Sequence, residues 1–232
     1  LGLGDTLVKL YGRWDKASDI DWDRLPNQFV LKVNNGCGDI LICRDKDKLD
    51  KATVIDTYDR LVSIKYGDVT GEPHYARIQP CVIAEELLDI NKQSINTSSL
   101  IDYKVWCLNG KPYCIWCAWN RGKEGADTGV YDLDWNYHPE WSVFTEHYRQ
   151  GKEILPKPKC FERMLEVASK LSEEFPILRV DLYEVNEKIY FGELTFTSLG
   201  GFMDYLTSEV LLDMGSKVRI NEISEEYAHV KC

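Results

Sequence analysis

The 232-residue sequence predicts an α+β fold made of β-hairpins and few helices. Three observations predict it. Short apolar runs of strand length meet at strong turn signals, above all Asn109-Gly110. One stretch, residues 159–175, repeats apolar side chains at helical spacing. A last hairpin, Arg179 to Thr197, alternates apolar and charged residues with the period of a strand.

Taken in order, residues 1–25 are mixed in character, and Trp14 and Trp22 read as docking anchors more than as parts of a regular sheet. Leu25-Pro-Asn-Gln marks a turn before the run Phe29 to Asn34, whose apolar density predicts a buried strand. Gly36-Cys37-Gly38 turns the chain into a second strand, Asp39 to Cys43. A helix is expected from Asp45 to about Tyr66, with Leu49, Tyr58 and Leu61 or Val62 sharing a face. Pro80 opens a strand over Cys81 to Leu88, and the polar segment Asn91 to Ser99 reads as a linker or hinge loop. Strands follow over Ile101–Leu108 and Lys111–Trp119, and the glycine-rich, charged stretch Arg121 to Gly129 reads as a mobile loop before the block Tyr131-Asp-Leu-Asp-Trp135. In the helix expected over residues 159–175, Phe161, Met164, Leu165, Ala168, Leu171 and Phe175 form the apolar stripe.

Composition bounds the function. A formal charge of −10 argues against a nucleic-acid or anionic-membrane partner, either of which needs a basic footprint, so any phosphate site must be local. No apolar run is long enough to insert in a bilayer and the start does not resemble a secretory leader, so a soluble, cytoplasmic protein is expected. The sequence opens at Leu1 without an initiator methionine, and an N-terminal portion is expected to precede it. Most of the eight cysteines lie in apolar strand-like runs, where a reduced thiol packs as a small hydrophobe. Cys114 and Cys117 have C-x-x-C spacing, but in a strand positions i and i+3 face opposite ways, so the pair neither chelates nor bridges easily. His74, His138, His147 and His229 are scattered, and zinc is not expected.

The chemistry concentrates in the last hairpin. With a loop at Asn186-Glu187-Lys188, Val185 pairs with Ile189 and Asp181 lies opposite Glu193. Arg179, Asp181, Glu193 and Thr195 then share one face, and Val180, Leu182, Leu194 and Phe196 the other, which is core. Two carboxylates in a cross-strand pair repel unless a cation sits between them. That cation is either a divalent metal, for which hard oxygen ligands suit Mg²⁺, or simply Arg179. Upstream, Lys32 sits mid-strand among apolar residues and needs an anion unless it snorkels, and a glycine-rich turn that can approach phosphate oxygens follows it. The turn is not a Walker P-loop, because no Gly-Lys-Ser/Thr ending and no helix follow. Glu85 and Glu86 close an apolar strand, either solvated or lining a nucleoside cleft.

These blocks, Leu25-Pro-Asn-Gln-Phe-Val-Leu-Lys32, Ile83-Ala-Glu-Glu-Leu-Leu88, Asp102-Tyr-Lys104, Tyr131 to Trp135, Arg179-Val-Asp-Leu-Tyr183 and Phe191-Gly-Glu-Leu-Thr-Phe196, span nearly the whole chain. In their order the sequence resembles the ATP-grasp superfamily, and within it the TupA-like branch of teichuronopeptide biosynthesis. The resemblance implies two α+β lobes with ATP held between antiparallel sheets: an N-terminal lobe over residues 1–88, lacking its N-terminal portion, and a C-terminal lobe over 89–232 with the metal site. It implies that Lys32 contacts the α- and β-phosphates, and that Gly36, Cys37 and Gly38 form a lid. Glu85 and the backbone at Glu86 and Leu88 would hold adenine, and Asp102 the ribose. Asp181, Glu193 and Thr195 would hold Mg²⁺, and Arg179 would face the transferred phosphoryl group, with Lys104 as a second catalytic candidate. Where the family commonly has Glu-x-Asn, this chain has Glu193-Leu-Thr195, and a hydroxyl is a poorer ligand than an amide carbonyl. Arg121, Lys104, Asp132, Asp134 and Trp135 are the substrate candidates, Trp135 and Arg121 having packing and solvated-charge alternatives.

The implied reaction is an ATP-dependent carboxylate–amine ligation through an acyl phosphate, joining an amine or amino acid to a uronic-acid carboxylate of a cell-surface polysaccharide. An ATP-grasp-fold kinase, a non-catalytic nucleotide-binding protein and a plain structural module are the competing readings.

Overall fold

A computed structural model describes residues 1–220; His229 and Cys232 lie outside the described residues. The chain packs as two compact units, one of Val8–Leu88 and a larger one of Leu1–Leu7 with Asp89 onward. The first seven residues therefore belong with the larger unit: Leu3 is part of its core, and Asp5 pairs with Arg163 at 3.4 Å.

In the smaller unit, β1 (Leu10–Trp14), β2 (Phe29–Val33), β3 (Ile40–Cys43) and β4 (Val82–Glu85) form an antiparallel sheet in the order β1-β4-β2-β3. Alternation sends Phe29, Leu31, Val33, Val82 and Ala84 into the core and leaves Val30, Lys32, Ile83 and Glu85 on the opposite, half-open face. α1 (Lys51–Val62) covers the core face with Val54, Tyr58 and Leu61. The expected helix thus starts later than Asp45. Asp45 caps a 3₁₀ turn, and Asp50 caps α1 by accepting the Thr53 N–H at 3.2 Å. A short helix, α2 (Tyr66–Thr70), follows. Residues 1–25 do contain a strand, because Trp14 ends β1, and the strand expected to reach Leu88 stops at Glu85, after which the Glu86 N–H turns to the Lys9 carbonyl at 2.9 Å.

The larger unit is built on β5 (Asp102–Leu108), β6 (Lys111–Gly122), β7 (Gly125–Tyr131), β8 (Tyr148–Gln150), β9 (Ile177–Val185) and β10 (Lys188–Thr195), ordered β10-β9-β5-β6-β7-β8. Among the described residues only the β7–β8 pairing is parallel. α3 (Phe161–Ser172) covers one face, burying Phe161, Met164, Val167 and Ala168 on Tyr103, Val105, Ile115, Val180 and Leu182. α4 (Ser208–Lys217) puts Val210 and Met214 on the other face, over Trp106, Trp116 and Val130. Asn109 and Gly110 both have positive φ, as a two-residue type I′ hairpin requires. The stretch read as a mobile loop, Arg121 to Gly129, is instead the β6–β7 hairpin.

The last hairpin carries a correction. Its loop is two residues, Asn186-Glu187 at φ 54 and 58, so Val185 pairs with Lys188 and not with Ile189. A bulge at Gly192 then adds one residue to β10, and Asp181 still faces Glu193. Val180 and Leu182 are core and Leu194 packs against it, whereas Phe196 lies beyond the strand, 38% exposed, edge-on to Phe175.

Candidate functional site

The face of the large sheet not covered by α3 changes character along its strands. Under α4 it is apolar. Further along, β5 presents Asp102, Lys104 and Trp106, β9 presents Arg179, Asp181 and Tyr183, and β10 presents Glu193 and Thr195. Register places Lys104 beside Asp181 and Asp181 beside Glu193, with Trp106, Arg179 and Thr195 in the next row.

Five of these side chains and Arg121 of β6 alternate in sign along a continuous ladder that ends at Glu193. Arg121 Nη2 reaches Asp102 Oδ2 at 3.3 Å, and Lys104 Nζ reaches the same oxygen at 2.7 Å. Lys104 also bonds Asp181 Oδ2. Arg179 grips Asp181 with two parallel bonds, Nε to Oδ1 at 2.7 Å and Nη2 to Oδ2 at 2.8 Å, and extends Nη2 to Glu193 Oε1 at 3.3 Å. The four inner charged side chains, Asp102, Lys104, Asp181 and Arg179, are 1–11% exposed, whereas the terminal Arg121 and Glu193 are 52% and 57% exposed. Three cations and three anions balance, which is the condition for holding such charges out of water.

Burial works against the Asp181 carboxylate, but Arg179 first and Lys104 second hold its pKa below the ordinary value. Lys104 is pulled down by burial and raised further by Asp102 and Asp181. Glu193 is pushed up, by dehydration and then by the charge of Asp181. Arg179 bonds both hairpin acids. Asp181 anchors Arg179 and Lys104, and Lys104, expected to be catalytic, is enclosed between two carboxylates. Glu193 and the Thr195 hydroxyl, 3.4 Å away, stand at the open end. Among the described residues no three His, Cys, Asp or Glu side chains converge as a metal cage. One accessible carboxylate beside a hydroxyl nevertheless fits Mg²⁺, which takes one or two carboxylates and completes its shell with phosphate and water.

Several contributors were not read from the sequence. Arg179 lies over the Trp106 ring, 5.9 Å from its centroid, and its Nη1 donates to Ser198 Oγ at 3.0 Å. Ser198 Oγ in turn lies 2.9 Å from the Tyr205 hydroxyl. Tyr183 shares the face with Asp181; Asp102 first, then burial, push its phenol well above the ordinary range. Gly192 makes room for it, since a Cβ there would stand 2.9 Å from Tyr183 Cε2. Alternation along β5 and β9 could have found Trp106 and Tyr183. The glycine pair after Ser198 is the only sequence signal for the loop that holds Arg179.

In the smaller unit, Lys32 and Glu85 are diagonal neighbours on the half-open face, and Lys32 Nζ lies 2.7 Å from Glu85 Oε2. The lysine has found its anion. Gly36, Cys37 and Gly38 make the bend between β2 and β3, with Gly38 at φ +88. The Glu86 N–H is taken by Lys9, and Leu88 is buried.

The remaining candidates do not join the ladder. Asp132 organises its own turn, accepting the N–H groups of Asp134 at 2.9 Å and Asn136 at 2.7 Å and facing His138 Nε2 at 3.2 Å. Asp134 is exposed. Trp135 stacks on Tyr131 at 4.4 Å, meets Phe161 edge-on and donates Nε1–H to the Leu155 carbonyl, so it belongs to the core on the α3 face, opposite the acids. Cys114 and Cys117 are buried on opposite faces of the sheet. No helix among the described residues is long and apolar enough to cross a membrane.

Comparison with known proteins places this architecture. The structure is similar to that of D-alanine–D-alanine ligase from Bacillus anthracis, with a TM-score of 0.55 at 17% identity over 97% of this chain and 65% of that one. The same enzyme complexed with ATP gives a TM-score of 0.51 at 15% identity over 96% and 62%. The chain thus spans just under two thirds of the ligase's length. At these identities the likeness shows the fold, which is α+β of the ATP-grasp type. A search of curated protein sequences found no match. The TupA-like ATP-grasp family model matches residues 5–219, and the chain belongs to that family.

Proposed function

We infer that the protein is an ATP-dependent carboxylate–amine ligase. The observation that carries this reading is the charge ladder, whose open end places Glu193 and Thr195 beside an arginine that is otherwise locked. Lys32 and Glu85, with the glycine turn, would supply the groups for phosphate and adenine, the Glu86 carbonyl and the Leu88 backbone serving the base and Asp102 the ribose. Glu193 with Thr195, backed by Asp181, would hold Mg²⁺, which when bound neutralises charge on the phosphates. Arg121 is half-exposed and only loosely tied to Asp102, so it is the group best able to turn to a substrate carboxylate.

In the reaction a carboxylate oxygen attacks the γ-phosphorus, and the bond from that phosphorus to the ADP oxygen breaks, giving an acyl phosphate. The amine nitrogen then attacks the carbonyl carbon, phosphate leaves, and the amine loses a proton. Arg179 stabilises charge on the phosphoryl group as it moves. The substrate class is a carboxylate-bearing saccharide joined to an amine or amino acid, in keeping with the family to which the chain belongs. A kinase would use the same nucleotide groups and stop at a phosphate ester.

Titration calorimetry of MgATP, magnesium-free ATP and a Glu193→Gln variant tests the nucleotide half. Magnesium-dependent binding lost in the variant is expected, and a folded protein that binds neither form would overturn the reading. Amine-dependent release of ADP and phosphate from ATP and glucuronate, with an amide found by mass spectrometry, separates ligase from kinase.

A further inference from the structure

We propose that Ser198 and Tyr205 are positioning residues that clamp the far end of the Arg179 guanidinium, so that its Nη2 edge stays turned toward Glu193 and the transferred phosphoryl group. This rests on the nucleotide reading above and adds to it two residues with no other role in the site.

The guanidinium is held on every side but one. Asp181 takes Nε and Nη2, Trp106 underlies the plane, and Ser198 Oγ accepts from Nη1 at 3.0 Å. The bond from Nη2 to Glu193 is the longest at 3.3 Å, and its acceptor is the exposed member of the pair. It is the bond an incoming phosphate oxygen can replace at least cost, since a half-exposed carboxylate can return to water. A forked cation gripped by Asp181 alone could still rock about that contact. Ser198 removes the freedom, and Tyr205 holds Ser198.

The clamp is itself anchored. Ser198 and Tyr205 are 5% and 4% exposed. Tyr205 packs against Trp116 with ring centroids 4.8 Å apart, and its carbonyl accepts the Val143 N–H at 3.0 Å. Between the two residues the chain runs through three successive left-handed conformations, Leu199 at φ 51, Gly200 at 63 and Gly201 at 94. A leucine there is strained, and such strain persists where the surroundings fix the backbone for another end. Here the reversal returns Tyr205 onto the serine that lies just beyond the end of the acidic strand.

The test uses MgADP with and without aluminium fluoride, which with ADP mimics the phosphoryl group in transit. Calorimetry should show that the wild-type chain binds MgADP more tightly when aluminium fluoride is present. Tyr205→Phe and Ser198→Ala should keep MgADP affinity within about twofold while losing about tenfold of the aluminium-fluoride enhancement. Ser198→Thr should restore it. Equal losses with and without aluminium fluoride would assign the pair a merely structural role, and an unchanged enhancement, or none in the wild type, would equally overturn the proposal. Failure of the wild type to bind MgADP at all would instead sink the nucleotide reading on which it stands.

Discussion

Replacing Lys104 by methionine keeps the length of the side chain and removes its charge from the middle of the ladder. The consequence can be worked from the bonds left behind. Asp181 keeps two short bonds from Arg179 at 2.7 and 2.8 Å, so it suffers least. Asp102 keeps only Arg121, at 3.3 Å on a half-exposed side chain, and its Oδ1 is buried with no hydrogen-bond partner already. The cost is then that of one buried carboxylate deprived of its cation, about 3–5 kcal/mol. Set against a total stability of roughly 5–15 kcal/mol, this is a large fraction.

Urea unfolding followed by tryptophan fluorescence should show a lower midpoint at unchanged slope. Asp102→Asn in the same chain should recover part of the loss, so that the double variant falls short of the sum of the singles by about 1–3 kcal/mol. A Lys104→Met loss below about 1 kcal/mol, with additive singles, would refute the ladder as a coupled unit and leave it a set of weak surface pairs. Acid gives an independent view. The Asp181 pKa is lower folded than its unfolded 3.8, so its contribution is present above that value and lost as pH falls through the folded one. Asp181→Asn should flatten the acid limb of the stability profile.

Three other outcomes are expected. Gly192→Ala would bring a methyl to 2.9 Å from Tyr183 and 3.1 Å from the Asp181 carbonyl, so Tm should fall by about 2–4 °C for each kcal/mol of a roughly 1–3 kcal/mol overpacking cost; an unchanged Tm would mean that the bulge is not under constraint. Lys32→Met should weaken MgATP binding about tenfold or more in calorimetry while leaving the fold intact by circular dichroism, and full-strength binding would remove Lys32 from the phosphate site. His138 is dehydrated, yet Glu140 at 2.7 Å and Asp132 at 3.2 Å raise its pKa overall above 6.5. Its stabilising share is therefore full below that value and fades as pH rises through the folded pKa, so His138→Gln should remove a decline in Tm on the alkaline side of pH 6.5.

The parts of the fold legible in the sequence were those set by local chemistry. Asn109-Gly110 demands one kind of turn, and the stripe from Phe161 to Leu171 can face a core only as a helix. β1 was not legible, because its five residues are all at least partly open and include Gly12 and Arg13. Nor was β8, three residues paired in parallel with a strand some twenty positions away. From sequence Trp135 reads as a packing residue ahead of a sugar platform, and Tyr131 and Phe161 hold it in the core. The opposition of Asp181 and Glu193 came out right through two compensating departures, a loop one residue shorter than expected and a bulge one residue longer.

That compensation bears on function. Side chains alternate along a strand, so without the bulge the two-residue turn would have put Glu193 out of register with Asp181 and sent it to the α3 face. Gly192 is what lets a tight hairpin and an acidic pair coexist, and Tyr183 occupies the room its missing side chain leaves. The acids could be read along one strand pair, but their counter-ions could not, since Lys104 reaches Asp181 across 77 residues and Ser198 reaches Arg179 from the loop beyond β10. With those partners in place, Asp181 is spoken for and the ends of the ladder exchange partners most easily. A cation arriving at Glu193 and an anion arriving at Arg121 would each take up a charge already held by a long, half-solvated bond, which leaves the buried centre undisturbed while both ends are used.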